Sequence, residues 1–227
     1  LNHTSGFEAI GEPLKFEPGT QFSYSNEAYD LVGNILEKVT GRTYKALVEE
    51  LFETLEMNDS FSPEWEKIDT TSSYPHLLEG YVEHETGDIL LNQERRKTIS
   101  NPSGGLVSTV HDLLKWNVAL HGGNFLTQNI YQQIITPSSQ QEHRWTGKIG
   151  YGYGVQIDNT NEILEISHGG VISGYLATLI CYPHNKMSLI ILENKVLWTD
   201  KWEMEDKSKT FHPHDQIRDV VRKSFVH

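Results

Sequence analysis

Cysteine is almost absent: Cys181 is the single one among 227 residues. An intrachain disulfide is therefore excluded, as is a zinc site built from two or four thiolates. Its neighbours Leu179, Ile180 and Tyr182 mark it as a thiol in a buried strand rather than a reactive one. One cysteine fits the cytosol, and it equally fits an exported protein that uses no disulfides. No wholly apolar stretch approaches the ~18 residues of a membrane-spanning helix, and the first residues carry no secretory-signal pattern. Cations are in deficit, with 19 Lys and Arg against 31 Asp and Glu, a net charge of −12. A surface that acidic repels phosphate backbones, so no nucleic-acid partner is expected. There is no internal repeat and no low-complexity run.

Aromatic residues are plentiful: five Trp, ten Tyr and eight Phe. That excludes a disordered chain. A chain of this length can bury roughly 70% of its unfolded surface, enough for a sizeable core. Periodicity then divides the chain. Ala28, Leu31, Val32, Ile35, Leu36 and Val39 predict an amphipathic helix over 27–39, with Asn26 as N-cap and Gly41 as its stop. Thr43 caps a second helix whose stripe is Tyr44, Leu47, Val48, Leu51, Phe52 and Leu55. Residues 58–80 read as irregular and 80–92 as a hairpin turning at Thr86-Gly87-Asp88. A third helix starts at Thr109 with Asp112 in its first turn, and a fourth runs from Thr127 to Ile135.

The pattern changes near residue 148. Tyr151–Ile157, Glu162–Ser167, Leu176–Tyr182 and Met187–Glu193 read as strands, and 215–225 as a closing helix. The strands are joined by tight turns and must be antiparallel. The expected class is therefore α+β, with a mainly helical region over 1–147 and an antiparallel-sheet region with a closing helix over 148–227. Met187–Leu192 is nearly continuous in apolar residues, the pattern of a strand buried on both faces and paired on both sides.

Three segments carry candidate chemistry. Tyr24-Ser25-Asn26 is extended, so Tyr24 and Asn26 can face one pocket; Asn26 serves equally well as a helix cap. His168-Gly169-Gly170-Val171 ends a strand, where glycines admit close approach and free N–H groups can donate to an oxyanion; a tight corner with a surface histidine reads the same. Ser103-Gly104-Gly105-Leu106-Val107-Ser108-Thr109 reads as a loop before a capped helix. His212-Pro213-His214-Asp215 lacks a third ligand nearby, so it reads as a polar loop capped by Asp215 rather than a metal site. Glu203, Glu205 and Asp206 among Lys201, Lys207 and Lys209 read as a solvated mixed-charge loop. No metal and no cofactor is implied.

These segments occur in a particular order. Leu1-Asn2-His3-Thr4-Ser5-Gly6 comes first, then Phe16-Glu17-Pro18-Gly19-Thr20 up to Tyr24-Ser25-Asn26, then Ser103-Gly104-Gly105, and last His168-Gly169-Gly170 with Gly174-Tyr175. The set resembles the serine β-lactamase and penicillin-binding-protein superfamily, in the branch of class C β-lactamases, D-alanyl-D-alanine peptidases and related esterases. The resemblance covers residues 1 to about 195. It implies a β-lactamase/transpeptidase-like fold and hydrolysis of an amide, lactam or ester through an acyl-enzyme. By the same resemblance Tyr24 moves the proton, His168 stands on the strand beside the nucleophile, and Asn26, Gly169, Gly170 and Val171 contact substrate. The Val171 N–H would be the second oxyanion donor. A phenol acts as base only where neighbouring cations favour its anion, a task to which a protonated His168 would contribute.

The departure from the family is the nucleophile. No Ser or Thr has Lys three positions later, whereas the family acylates the serine of a Ser-x-x-Lys motif. Ser5, Ser23 and Ser25 read as turn and cap residues. The expectation is of a fold whose N-terminal part is missing, inert alone, with a small-molecule or peptide substrate in its parent form: a lactam, a D-Ala peptide or an ester. A non-catalytic ligand- or peptide-binding module is the alternative. A bound N-terminal fragment, or strand-exchanged self-association, would cover the strand at 187–193. The resemblance suggests a periplasmic or extracellular setting, with the cytoplasm left open.

Overall fold

The computed structural model describes residues 13–65, 74, 77–84, 86–92, 99–143, 147–172, 174–198 and 208–225. Five helices are present among them: α1 (Asn26–Thr40), α2 (Tyr44–Thr54), α3 (Val110–His121), α4 (Gln128–Ile135) and α5 (Ser208–Lys223). Nine strands accompany them: β1 (Tyr81–His84), β2 (Ile89–Leu91), β3 (Ser139–His143), β4 (Gly147–Tyr151), β5 (Gln156–Asp158), β6 (Glu165–Ile172), β7 (Tyr175–Tyr182), β8 (Met187–Glu193) and β9 (Lys195–Trp198). The α+β expectation holds.

The first four helices begin where local chemistry puts them. Thr43, Thr109 and Thr127 each accept a backbone N–H at the start of α2, α3 and α4. Gly41 closes α1 in the left-handed region at φ +68°. The cap of α1 is a correction: Ser25, not Asn26, accepts the Ala28 N–H at 3.1 Å. Asn26 is the first helical residue, and its amide is freed from capping. α1 is also less buried than its stripe predicts, with Gly33 its sole buried residue and Val32, Ile35 and Val39 exposed.

Six strands form one antiparallel sheet in the order β3-β4-β5-β6-β7-β8, and β2-β1-β9 form a small second sheet in which β1 and β9 run parallel. Several expected boundaries move. The strand expected at Tyr151–Ile157 is two strands, because Gly154 turns at φ +74° and the Gly152 N–H bonds Val155 O at 2.8 Å. The next strand spans 165–172 rather than 162–167, so His168-Gly169-Gly170 lies inside β6 and not at its end. β8 matches its expected bounds but pairs with β7 alone among the described residues, and Met187 and Leu192 are exposed. Among the described residues it is a sheet edge, not a strand paired on both sides.

The closing helix starts at 208 and contains Pro213, so His214 and Asp215 are helical rather than a capped loop. The mixed-charge segment at 201–207 lies outside the described residues. α5 covers one face of the sheet, where Ile163, Ile180 and Tyr182 pack with Leu189, Val221 and Phe225. Strand alternation turns His168, Gly170 and Leu179 to the opposite face, toward α3. Cys181 is buried in β7 and burial pushes its thiol up to about 11, the inert strand thiol expected.

Candidate active site

The segment leading into α1 is set by a turn. Thr20 donates to Glu17 O through its N–H at 3.1 Å and its hydroxyl at 2.6 Å, with Gly19 at φ +80° between. The chain then extends, and alternation brings Phe22 and Tyr24 to the same side. Both meet the ring of Tyr151, at centroid distances of 5.0 and 6.4 Å.

The strand side is built by register. β5 pairs with β6 only at 165–167, while β7 pairs with it through Ile172. Residues 168–172 therefore have one ladder partner and one open edge among the described strands. Backbone groups in an antiparallel strand point alternately to its two sides, so N–H groups of this stretch are presented to the cleft. Tyr24 and His168 stand with ring centroids 6.2 Å apart, tilted by 35°.

Tyr24, Asn26, His168, Gly169, Gly170 and Val171 all line one cleft of about 1810 Å³ between α1–α3 and the sheet. The Ser103–Thr109 loop forms another wall. Its Gly105 sits at φ +89° and its carbonyl accepts from Trp65 Nε1 at 2.8 Å. A Cβ there would lie 2.3 Å from Ile99, so the glycine is required by both conformation and space.

Tyr151, which stands behind His168, is the residue that sequence reasoning missed. The sequence marks it only as a strand residue, yet its phenol lies 3.2 Å from His168 Nε2. The signal was the Tyr151-Gly152-Tyr153-Gly154 alternation, whose glycines permit a turn right after the strand. Tyr153, two residues on, is exposed.

Electrostatics at the cleft bear on the charge expected of His168. Burial pushes His168 below the ordinary histidine value, offset in part by a hydrogen bond with the Gly169 backbone. The charged form of His168 is thus disfavoured, which works against the expected positive charge. Tyr24 is pushed up by burial and by the nearby phenol of Tyr29. Tyr151 is pushed up further by burial, Tyr24 and Tyr29. The cleft's titratable rings therefore offer neutral donors and acceptors. No group of three His, Cys, Asp or Glu that could hold a metal occurs among the described residues. No helix among them is long and apolar enough to cross a membrane.

A family model described as Beta-lactamase matches residues 1–209. Penicillin-binding protein 4* of Bacillus subtilis is 28% identical over 196 residues, covering 79% of this chain and 41% of that protein. The octameric penicillin-binding protein homologue from Pyrococcus abyssi superposes with a TM-score of 0.68 at 27% identity, covering 79% of this chain and 40% of that one. D-amino acid amidase from Ochrobactrum anthropi SV3, solved with L-phenylalanine amide, shares the fold with a TM-score of 0.70 at 21% identity, covering 95% of this chain and 62% of that one. The chain thus spans about two fifths of the length of the first two relatives.

Proposed function

We infer that this chain, which belongs to the Beta-lactamase family and has its serine-hydrolase fold, supplies the substrate-facing wall of an acyl-transfer site. The substrate class is an amide, lactam or ester of the kind the family hydrolyses, and a D-amino acid amide or peptide suits the named relatives. Tyr24 would move the proton, Asn26 would hold the substrate amide, and Gly169, Gly170 and Val171 would offer the strand edge to the acyl group. The observation that carries the reading is the approach of the Tyr24 ring to His168 at 6.2 Å, with Asn26 on the same cleft.

An acyl-enzyme needs a nucleophile with a base beside it. No Ser-x-x-Lys occurs in these 227 residues, and a tyrosine whose pKa is raised by burial is a poor base without a cation. Oxyanion donors and binding contacts alone give only residual catalysis. These residues by themselves are therefore inert. Incubation with a fluorescent penicillin and with a fluorophosphonate, followed by intact-mass measurement, tests this. The expected result is no adduct; a stoichiometric adduct on any serine of this chain overturns the inertness.

A further inference from the structure

Tyr151 is held from several directions. Its carbonyl accepts from the Ser138 N–H at 3.0 Å and the Ser138 hydroxyl at 3.3 Å. After it the chain turns at Gly152, where a Cβ would lie 2.1 Å from the Ile134 carbonyl oxygen. Phe22 packs against the ring on one side and Tyr24 meets it edge-on. The side chain is buried, and its oxygen has His168 Nε2 as hydrogen-bond partner. The phenol is therefore held by contacts that do not involve the histidine.

We propose that Tyr151 is the positioning residue for His168, donating its phenolic hydrogen to Nε2 and so fixing the ring as the Nδ1–H tautomer. The inference rests on reading Tyr24 and His168 as the working pair of the cleft. A neutral imidazole has one N–H and one lone pair. The Tyr151 hydroxyl is buried and Nε2 is its hydrogen-bond partner among the described residues, so its O–H is satisfied by donating there. Nε2 is then the acceptor, and the one N–H of the neutral ring lies on Nδ1. Burial also keeps the phenol protonated and the imidazole neutral, consistent with this direction. Among the described residues, the titratable groups around the ring are Tyr24 and Tyr151 against it, with His121 and Tyr153 across the adjoining smaller cavity.

The consequence is a division of labour. With its lone pair occupied, His168 is neither a base nor a cation. It is a neutral wall whose plane, set by Tyr151, fixes the space left for Tyr24 and a substrate. Proton movement then falls to Tyr24 alone.

Histidine-selective ¹⁵N labelling and long-range ¹H–¹⁵N spectra from pH 5 to 8 test this on the whole chain, with His168→Gln identifying the signal. The expected result is a neutral ring at pH 7 with Nε2 unprotonated. In Tyr151→Phe the lone pair loses its donor, so the neutral form is less favoured. The tautomer then shifts toward Nε2–H and the titration midpoint rises by about 0.4–1 unit. An Nε2–H ring in the unsubstituted protein overturns the proposal, as does a variant with unchanged tautomer and midpoint. If the variant fails to fold, the tautomer of the unsubstituted protein decides alone. No acylation is needed for this reading, so its failure leaves the proposed reaction class standing, and an adduct on this chain leaves the tautomer assignment standing.

Discussion

Arg218 of α5 grips the carboxylate of Glu165 in β6 with its Nε, at 2.8 and 3.0 Å from the two oxygens. Both side chains are buried, and the Arg218 Nη2 continues to Asp158 at 3.1 Å. Arg222 adds a bond to Glu165 at 2.8 Å and one to Thr160 O at 3.0 Å. The closing helix is thereby fastened to the strand that carries His168. Removing one member of such a set leaves a buried charge uncompensated. Arg218→Ala should cost about 3 kcal/mol, the low end of the range for a broken buried pair, because Arg222 still reaches Glu165. Urea unfolding measures it; a loss below about 1 kcal/mol would show that water reaches the carboxylates.

Asp112 should make stability depend on acid pH. Burial raises its pKa, but hydrogen bonds from Lys115, the Asp59 N–H and Ser60, with the Lys115 charge, outweigh burial and leave it lowered. A carboxyl with a lowered folded pKa binds its proton later than in the unfolded chain. Its contribution is fully present above the unfolded value of about 3.9 and is lost as pH falls through the folded value. Asp112→Asn should lower stability by about 1.5–3 kcal/mol at pH 7, with the gap from the unsubstituted protein closing below about pH 4. A gap independent of pH would assign the loss to shape rather than charge.

Gly33 should reverse the usual helix rule. In an exposed helix, Gly→Ala gains up to about 1 kcal/mol. A Cβ at Gly33 would lie 2.4 and 2.7 Å from the ring of Pro102. Forcing atoms into an occupied space costs about 1–3 kcal/mol, so Gly33→Ala should lower the melting temperature. Gly104→Ala, where a Cβ would meet nothing within 4 Å, is the control and should leave it nearly unchanged. Equal effects from both would break the account.

The outer edge of β8 should drive association. Among the described strands its outer side is unpaired; such an apolar edge invites another chain, and the exposed Val32, Ile35 and Val39 face of α1 adds apolar surface. Light scattering behind size exclusion should find species above monomer at micromolar concentration. A clean, stable monomer with no added peptide would show that the edge is protected, and the expectation that another strand covers β8 would fall.

Much of the local structure was legible in the sequence because it is decided locally. Ser and Thr caps, the left-handed Gly41 and the Thr86–Asp88 turn act over three or four residues, so the starts of α2, α3 and α4 and the β1–β2 hairpin follow from spacing alone. The order of the Tyr-x-Asn and His-Gly-Gly motifs likewise pointed to the Beta-lactamase family, to which the chain belongs. Even here an ambiguity between neighbours remained. Ser25 and Asn26 are both good caps, and only backbone geometry assigns the role to Ser25 and the cleft position to Asn26.

What tertiary structure decided depends on register between distant segments. Pairing His168 with Leu179 puts its ring on the face opposite α5, and the end of β5 pairing at Ser167 opens the strand edge beyond it. The contact of Tyr151 with His168 exists because β4, β5 and β6 align and the glycines after Tyr151 let the chain turn away at once. The downward shift of His168 follows from burial, which motif spacing does not encode. The parallel pairing of β9 with β1 joins residues more than a hundred positions apart, and no period in either segment announces it. Propensities and caps are properties of a few neighbours. Charge state and which side chains meet are properties of the packed whole.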